Sequence, residues 1–253
     1  MRTSTNTLFL HDGKTAETMT TIRPRTIFIT GTDTGVGKTL LTGLLLHHLR
    51  QNRCHALAMK PFCSGGTADV KLLHALQNGE LKNEEINPFF FPEPIAPLLS
   101  ARRRRRSIPL REVLKRIQFV QAKFQRPKTS GCLLIEGSGG LMVPLGENYT
   151  VADLIEKLKC EVIITSRNLL GTINHTLLTA RALQDAGQQR LKVVLMDGAG
   201  QDASSLSNTR ILTELLAPVP VISIPFLGPN SAGIEAVKKN QKRIKKTLAR
   251  ILA

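Results

Sequence analysis

The 253-residue sequence has no tryptophan, one tyrosine, four cysteines and no long apolar run. The cysteines lack the paired spacing of zinc or redox sites. A membrane helix needs about 18 apolar residues in succession, and no stretch approaches that length. The first 24 residues contain only LFL as an apolar run, which is too short for a secretory signal. These absences predict a cytoplasmic protein with reduced thiols and no membrane partner.

Basic residues are in excess, because 35 Lys and Arg against 19 Asp and Glu give a formal charge of +16. Arg102–Arg106 form one basic run, and the stretch VKKNQKRIKKTLARILA at the C-terminus is another. The apolar residues of that stretch fall on one side of a helix, which predicts a docked basic helix at about 234–252. They are Val237, Ile244, Leu248 and Ile251. No aromatic residues interleave with these runs, so we interpret them as solvated surfaces and expect no nucleic-acid partner.

Short apolar runs alternate along the chain with helical patterns. Strands are predicted at 26–30, 55–60, 132–136, 161–165, 192–196 and 219–225. Helices are predicted at 38–51, 67–76, 110–124, from about 173, and at 204–216, whereas the proline-rich residues 84–109 are predicted to be irregular. Consecutive apolar positions are typical of strands buried on both faces, so the pattern predicts an α/β fold with one parallel sheet between helices. We expect a single domain over 25–253, preceded by an N-terminal extension of residues 1–24, with ligands at the carboxyl ends of the strands.

The first predicted strand leads into GTDTGVGKT, residues 31–39. Its G-K-T ending is typical of a phosphate-binding loop, in which Lys38 supplies a charge and Thr39 a hydroxyl for Mg²⁺. Gly35 and Gly37 would let the backbone approach an anion at the start of the next helix. The common pattern has four residues between its outer glycines, whereas five separate Gly31 from Gly37. The loop therefore predicts a nucleotide site, and an ordinary glycine turn is the alternative.

Polar residues follow two further strands. Lys60 ends the second strand, Ser64 lies in a predicted polar turn, and Asp69 lies in the first turn of a helix capped by Thr67. Glu136 ends the buried strand of LLIEGSGG. Separately each has a structural explanation, but beside a phosphate loop they predict a second cation for phosphate and carboxylates for a metal ion.

One more helix start follows the fourth strand. The segment GTINH opens a helix at Gly171–Asn174, whose unpaired N–H groups would suit an anion. His175 lies within that helix, and we expect it to pack rather than to catalyse.

The motifs GTDTGVGKT, KPFCSG, EGSGG and GTINHTLLTA stand in an order that resembles the dethiobiotin synthetase family over roughly residues 26–230. That family's phosphate loop also has five residues between its glycines. The resemblance implies a P-loop NTPase type of fold and a homodimer that shares its substrate site across the interface. It also implies an ATP- and Mg²⁺-dependent enzyme that makes the ureido ring of dethiobiotin from 7,8-diaminopelargonate and CO₂.

The resemblance implies roles at the matching positions. Lys38 and Lys60 would flank the transferred phosphoryl group, and Thr34 would add contacts from the loop. Thr39, Asp69 and Glu136 would hold Mg²⁺. Ser64 would bind the carbamate that forms when a substrate amine takes up CO₂. The substrate carboxylate would be bound by residues of the neighbouring subunit, namely Gly171, Thr172, Ile173 and Asn174. The nucleotide would contact Gly35, Val36, Gly37, Lys38, Thr39, Leu40, Asp69, Glu136, Gly137, Ser138, Gly139, Met196, Asp197, Ile224, Pro225 and Phe226.

One departure concerns the nucleotide base. The family has an asparagine immediately before an aspartate at the fifth strand, whereas this chain has Met196 before Asp197. Because methionine lacks the paired donor and acceptor of an amide, we predict a relaxed or altered nucleotide preference.

Two other classes are alternatives. Partitioning or positioning ATPases with a deviant loop use nucleotide as a switch and bind DNA or membrane, but their signature lysine corresponds to Asp33 here, the opposite charge. ATP-dependent amidating enzymes of a related fold carry a glutamine-hydrolysing domain, for which 253 residues leave no room.

Overall fold

The computed structural model describes residues 25–124, 131–200 and 203–253, so the predicted extension at 1–24 lies outside the described residues. The strands are β1 (Arg25–Gly31), β2 (His55–Met59), β3 (Phe62–Ser64), β4 (Phe89–Phe91), β5 (Gly131–Glu136), β6 (Pro144–Gly146), β7 (Tyr149–Thr150), β8 (Glu161–Asn168), β9 (Leu191–Asp197) and β10 (Val221–Ile224). Six of them form one parallel sheet in the order β10-β9-β8-β1-β5-β2. The fold class predicted from the apolar runs is therefore confirmed.

The helices are α1 (Lys38–Gln51), α2 (Ala68–Leu76), α3 (Asn83–Ile86), α4 (Pro97–Arg103), α5 (Leu110–Gln121), α6 (Val151–Leu158), α7 (Thr172–Asp185), α8 (Ser205–Leu216), α9 (Ile234–Arg243) and α10 (Lys245–Leu252). A 3₁₀ turn, Ala122–Phe124, follows α5. Helix α1 packs against α2, α9 and α10, and α7 packs against α8. No described helix is long and apolar enough to cross a membrane.

The central strands are buried at consecutive positions, as expected when helices cover both faces of a parallel sheet. All six residues of β5 are buried, as are five consecutive residues of β1 from Ile27 to Gly31. Because parallel strands end at one edge, the carboxyl ends of β1, β2 and β5 bring Gly31, Lys60 and Glu136 to the same edge of the sheet. The motifs singled out in the sequence follow strands that end there.

The structure corrects four local expectations. Residues 84–109 are not irregular, because they include α3, β4 and α4, and β4 pairs in parallel with β3. The buried rings of Phe62 and Phe89 stack with centroids 4.9 Å apart, which anchors this two-stranded unit. Ser64 therefore ends a short strand rather than lying in a turn. Thr67 precedes α2 but makes no side-chain cap, and the C-terminal helix is two helices that meet at Ile244.

The arginine run forms surface contacts at the end of α4. Arg102 donates two hydrogen bonds to the carboxylate of Glu147, both 2.7 Å long. Arg104 contacts Glu93 in the same way, and the Arg106 guanidinium lies 5.4 Å from the ring centre of Phe89. These contacts satisfy part of the run locally, although they leave the overall positive charge of the chain in place.

Candidate nucleotide and substrate site

The phosphate loop joins β1 to α1 through residues that adopt left-handed backbone conformations. Gly35 has φ 70° and Gly37 has φ 101°, values that residues with a side chain rarely adopt. A Cβ atom at Gly37 would also lie 3.0 Å from the Cγ of Met196. Glycine is therefore needed at Gly37 both for the backbone conformation and for the close approach of β9.

Lys38 is buried at the start of α1, and its ammonium group contacts the loop itself. It donates to the carbonyl oxygen of Asp33 at 2.8 Å and to that of Gly139 at 2.7 Å. Burial lowers the pKa of Lys38 to about 8, and the neighbouring charge of Lys60 acts in the same direction, while Glu136 opposes it. The Lys38 side chain thus ties the phosphate loop to the segment after β5.

Lys60, Asp69, Glu136 and Thr39 form a compact polar cluster at the same edge of the sheet. The Lys60 ammonium group donates to Oε1 of Glu136 at 2.8 Å and also contacts the Asp69 carboxylate. The Thr39 hydroxyl donates to the same Oε1 atom at 2.7 Å. Burial lowers the pKa of Lys60, but the two carboxylates outweigh burial and hold it above its usual value. Lys60 is therefore charged across the physiological pH range.

The donor set of this cluster fits Mg²⁺. Glu136 is 1% exposed, and its Oε2 atom has no hydrogen-bond partner among the described residues. Thr39 adds a hydroxyl, and Asp69 adds a second carboxylate. The described residues contain no group of three or more His, Cys, Asp or Glu side chains that would cage a metal. Magnesium commonly binds through one or two carboxylates together with substrate phosphates and water, so a complete protein cage is not required.

Ser64 ends β3, and the predicted glycine contacts follow Glu136 directly. The Ser64 hydroxyl is buried without a hydrogen-bond partner in the described part of the chain, so it has capacity to bind a ligand. Gly137 packs against Phe28, because a Cβ there would lie 2.9 Å from that ring. Gly139 adopts φ 65°, and its carbonyl oxygen holds Lys38. Thr34 is exposed and lies beside Gly139.

A cavity of about 230 Å³ opens beyond the phosphate loop, at the carboxyl ends of β8, β9 and β10. Its wall includes predicted nucleotide contacts from the loop and from β9 and the segment after β10: Gly35, Val36, Gly37, Leu40, Met196, Asp197, Pro225 and Phe226. Ile224 is fully buried beneath the wall and pairs with Met196 in the sheet.

Asp197 is already bound at one side of this cavity. Its Oδ1 atom accepts a 2.7 Å hydrogen bond from the side-chain amide of Asn168. Asn168 also donates to the backbone of Ser205 and accepts from Asn208. Both ends of the Asn168 amide are thus hydrogen-bonded. Asn168 therefore does not replace the asparagine that the family has at the position of Met196.

The predicted substrate helix start lies after β8, on the opposite side of β1 from β5 and β2. Gly171 adopts φ 92° and precedes α7, whose first residue Thr172 is buried. Asn174 and His175 are exposed on the same turn. The structure therefore places this helix start beside the phosphate loop within one chain, and apart from the strands that carry Lys60 and Glu136.

Sequence reasoning missed the polar run TSRN at the end of β8. Arg167 donates to the carbonyl oxygen of Gly35 at 3.0 Å and lines the cavity, and Asn168 and Ser166 are buried beside it. The signal was present, because polar residues at consecutive positions end an otherwise apolar strand. These residues lay outside the motifs that carried the resemblance.

The sheet order, the glycine loop and the buried Lys38 together define a P-loop nucleotide-binding protein. A family model described as an AAA domain matches residues 25–228. Solved structures with the same fold include a chain of the MinC:MinD cell division protein complex of Aquifex aeolicus, with a TM-score of 0.57 at 13% identity over 90% of this chain and 95% of that chain. A ParA family ATPase from Chlorobium tepidum has a TM-score of 0.51 at 12% identity, over 90% of this chain and 97% of that chain.

Curated relatives narrow this class. The ATP-dependent dethiobiotin synthetase BioD of Bacillus subtilis (strain 168) is 34% identical over 207 residues, which are 79% of this chain and 86% of that protein. The protein of the same name from Anaeromyxobacter sp. (strain Fw109-5) is 37% identical over 186 residues, 72% of this chain and 81% of that protein. The chain belongs to the family of ATP-dependent dethiobiotin synthetases.

Proposed function

We propose that the protein closes the ureido ring of dethiobiotin from 7,8-diaminopelargonate and CO₂, with ATP as phosphoryl donor and Mg²⁺. Membership of the family supports this activity. The observation that carries it is the cluster at the carboxyl edge of the sheet, where Lys60 contacts Glu136 and Asp69. The Thr39 hydroxyl donates a hydrogen bond to the same Glu136 carboxylate. A cation, two carboxylates and a P-loop hydroxyl are thereby assembled for phosphoryl transfer. A cytoplasmic location is part of the proposal.

The reaction brings two anions together. One substrate amine bonds to CO₂ and loses a proton, giving a carbamate. A carbamate oxygen attacks the γ-phosphorus, ADP leaves, and a carbamic-phosphoric anhydride forms. The second amine then attacks the carbamoyl carbon and loses a proton, phosphate leaves, and the ring closes. Catalysis of such transfers depends on positioning and on neutralising charge.

Lys38 and Lys60 have different parts in that neutralisation. Lys60 stays protonated because its pKa is raised, so it acts as a cation rather than as a proton acceptor. Burial lowers the pKa of Lys38 to about 8, and nucleotide phosphates would favour its charged form. The loop carbonyl oxygens that now bind Lys38 would be exchanged for phosphate oxygens. Thr39, Asp69 and Glu136 would hold Mg²⁺, which supplies charge neutralisation on the phosphates.

Ser64 and the start of α7 would bind the diamine. The buried Ser64 hydroxyl, which lacks a partner among the described residues, is available for a carbamate oxygen. The start of α7 at Gly171–Asn174 of one subunit would bind the carboxylate of the diamine held in the site of the other subunit. A homodimer is therefore part of the proposal. Exposed leucines on α7 and α8 support an interface there, since Leu178 is 62% exposed and Leu206 is 74% exposed.

The activity is tested by supplying the purified protein with 7,8-diaminopelargonate, bicarbonate, Mg²⁺ and one nucleotide at a time. We expect dethiobiotin, identified by mass, to form with ATP and at comparable kcat/KM with GTP and CTP, because Met196 cannot read the base through an amide. Reactions without the diamine are the control and should form no product. No product with any nucleotide would contradict the proposal. In that case, salt-sensitive DNA binding would favour the switch ATPase.

A further inference from the structure

Three hydroxyl groups form a chain between the phosphate loop and the start of α7. The Thr32 Oγ1 atom lies 3.0 Å from the Ser166 Oγ atom, and Ser166 Oγ lies 2.7 Å from Thr172 Oγ1. Ser166 and Thr172 are each 2% exposed, so water does not compete freely for these bonds. Thr32 belongs to the nucleotide loop, Ser166 to β8, and Thr172 to the first turn of α7. We call these three residues the hydroxyl relay.

The relay is selective among its neighbours. The hydroxyls of Thr30 in β1, Thr165 in β8 and Thr176 in α7 are also buried, yet they have no hydrogen-bond partner within the described residues. Buried hydroxyls in this part of the fold are thus not paired as a matter of course. The relay connects the nucleotide loop with the helix start, whereas the buried hydroxyl of Thr179, further along α7, donates to a carbonyl oxygen of its own helix.

We propose that Ser166 is a positioning residue that couples nucleotide binding to diamine binding through the hydroxyl relay. The proposal rests on the proposed function, because it takes the start of α7 as the carboxylate site for the diamine of the neighbouring subunit. The coupling therefore joins the nucleotide of one subunit to the diamine of the other. Ser166 lies in the middle of the relay and contacts both ends. Nucleotide that orders the loop would therefore also fix Thr172 and the backbone N–H groups around it.

We expect the coupling to be positive. Ordering the helix start costs conformational entropy, and a ligand that has already ordered the loop reduces what the second ligand must supply. The coupling is reciprocal, so the diamine should improve nucleotide affinity by the same factor. A second connection, the backbone hydrogen bond from Thr32 to the Thr165 carbonyl at 3.0 Å, would remain without the relay. The loop should therefore stay folded in a Ser166 variant.

The coupling is measured by titrating 7,8-diaminopelargonate calorimetrically with and without a saturating non-hydrolysable ATP analogue and Mg²⁺. In the unmodified protein we expect the analogue to lower the Kd of the diamine by about five- to tenfold. In Ser166→Ala this factor should fall to near one. Thr172→Val, which keeps the shape but removes the hydroxyl, should have the same effect, whereas Thr172→Ser should retain the coupling.

Thr176→Val is the matched control, because it removes a buried hydroxyl from the same helix that is outside the relay. It should leave the coupling factor unchanged. Combining Ser166→Ala with Thr172→Val should add little to either change alone, because both interrupt one chain. No coupling in the unmodified protein, or unchanged coupling in Ser166→Ala, would overturn the inference. Binding of nucleotide without any binding of the diamine would instead contradict the proposed function.

Discussion

The carboxyl edge of the sheet has two halves that differ in how their polar groups are satisfied. Around β1, β2 and β5, charged side chains contact one another in a buried cluster that includes Lys60 and Glu136. Around β8, β9 and β10 lies an open cavity that is lined by Met196 and Asp197, and the carboxylate of Asp197 accepts a hydrogen bond from Asn168. We propose that the first half binds the phosphates of the nucleotide and that the second half lies against its base, and we call them the phosphate half and the base half.

On this proposal, the two halves would contribute to nucleotide binding in different ways. Hydrogen bonds that involve a charged group are stronger than neutral ones, and burial strengthens them further. The phosphate half concentrates such groups, so affinity and turnover should depend on it. The base half should instead determine which nucleotide is preferred. Substitutions in the two halves should therefore change different kinetic constants.

The largest effect is expected for Lys60→Ala. Removing a cation that acts on the transferred phosphoryl group should lower kcat by roughly 10²- to 10³-fold, while the nucleotide Kd changes by less than about threefold. Steady-state kinetics and an equilibrium titration measure the two quantities separately. Arg102→Ala is the control, since it removes a cation that is exposed and bound to Glu147, and it should leave kcat unchanged. A parallel loss of nucleotide affinity in Lys60→Ala would assign Lys60 to binding instead.

The proximity of Lys60 and Glu136 could be predicted from the sequence, and the reason is physical. Lys60 and Glu136 each follow an apolar run, and parallel strands must end at one edge, so their proximity followed from the fold. The interior of residues 84–109 could not be predicted, because β4 exists through its pairing with β3 and the stacking of Phe62 on Phe89. Such pairings depend on tertiary contacts that no local pattern contains.

The base half shows a different limit. Arg167 and Asn168 are ordinary polar residues in the sequence, and their positions depend on the register between β8 and β9, which pairs them with Met196 and Asp197. The sequence shows that position 196 has no amide, but it does not show that Asp197 accepts a hydrogen bond from Asn168. A hydrogen bond between residues 29 positions apart becomes visible only when the strands are aligned.

A smaller effect is expected for Met196→Asn, which would give the base half an amide. Paired hydrogen bonds between an asparagine and adenine contribute about 1–3 kcal/mol of discrimination in other settings. We therefore expect the ratio of kcat/KM for ATP to that for CTP to rise about tenfold in the variant. Met196→Leu is the control, because it alters shape at the contact with Gly37 without adding a polar group. Equal ratios in both variants would show that residue 196 does not face the base.

The smallest effect is expected for Arg167→Gln, at the border between the two halves. Arg167 donates to the carbonyl oxygen of Gly35 and places its charge over the phosphate loop, but the side chain is exposed. Because an exposed charge is screened, the Kd should rise only about threefold, and by the same factor for ATP, GTP and CTP. Arg181→Gln, which removes an exposed arginine of α7, is the matched control. Arg167→Lys separates the effect of the charge from that of the hydrogen bond to Gly35, since it keeps the charge but removes the Nε donor. A rise in Kd for only one of the three nucleotides would indicate that Arg167 contacts the base instead.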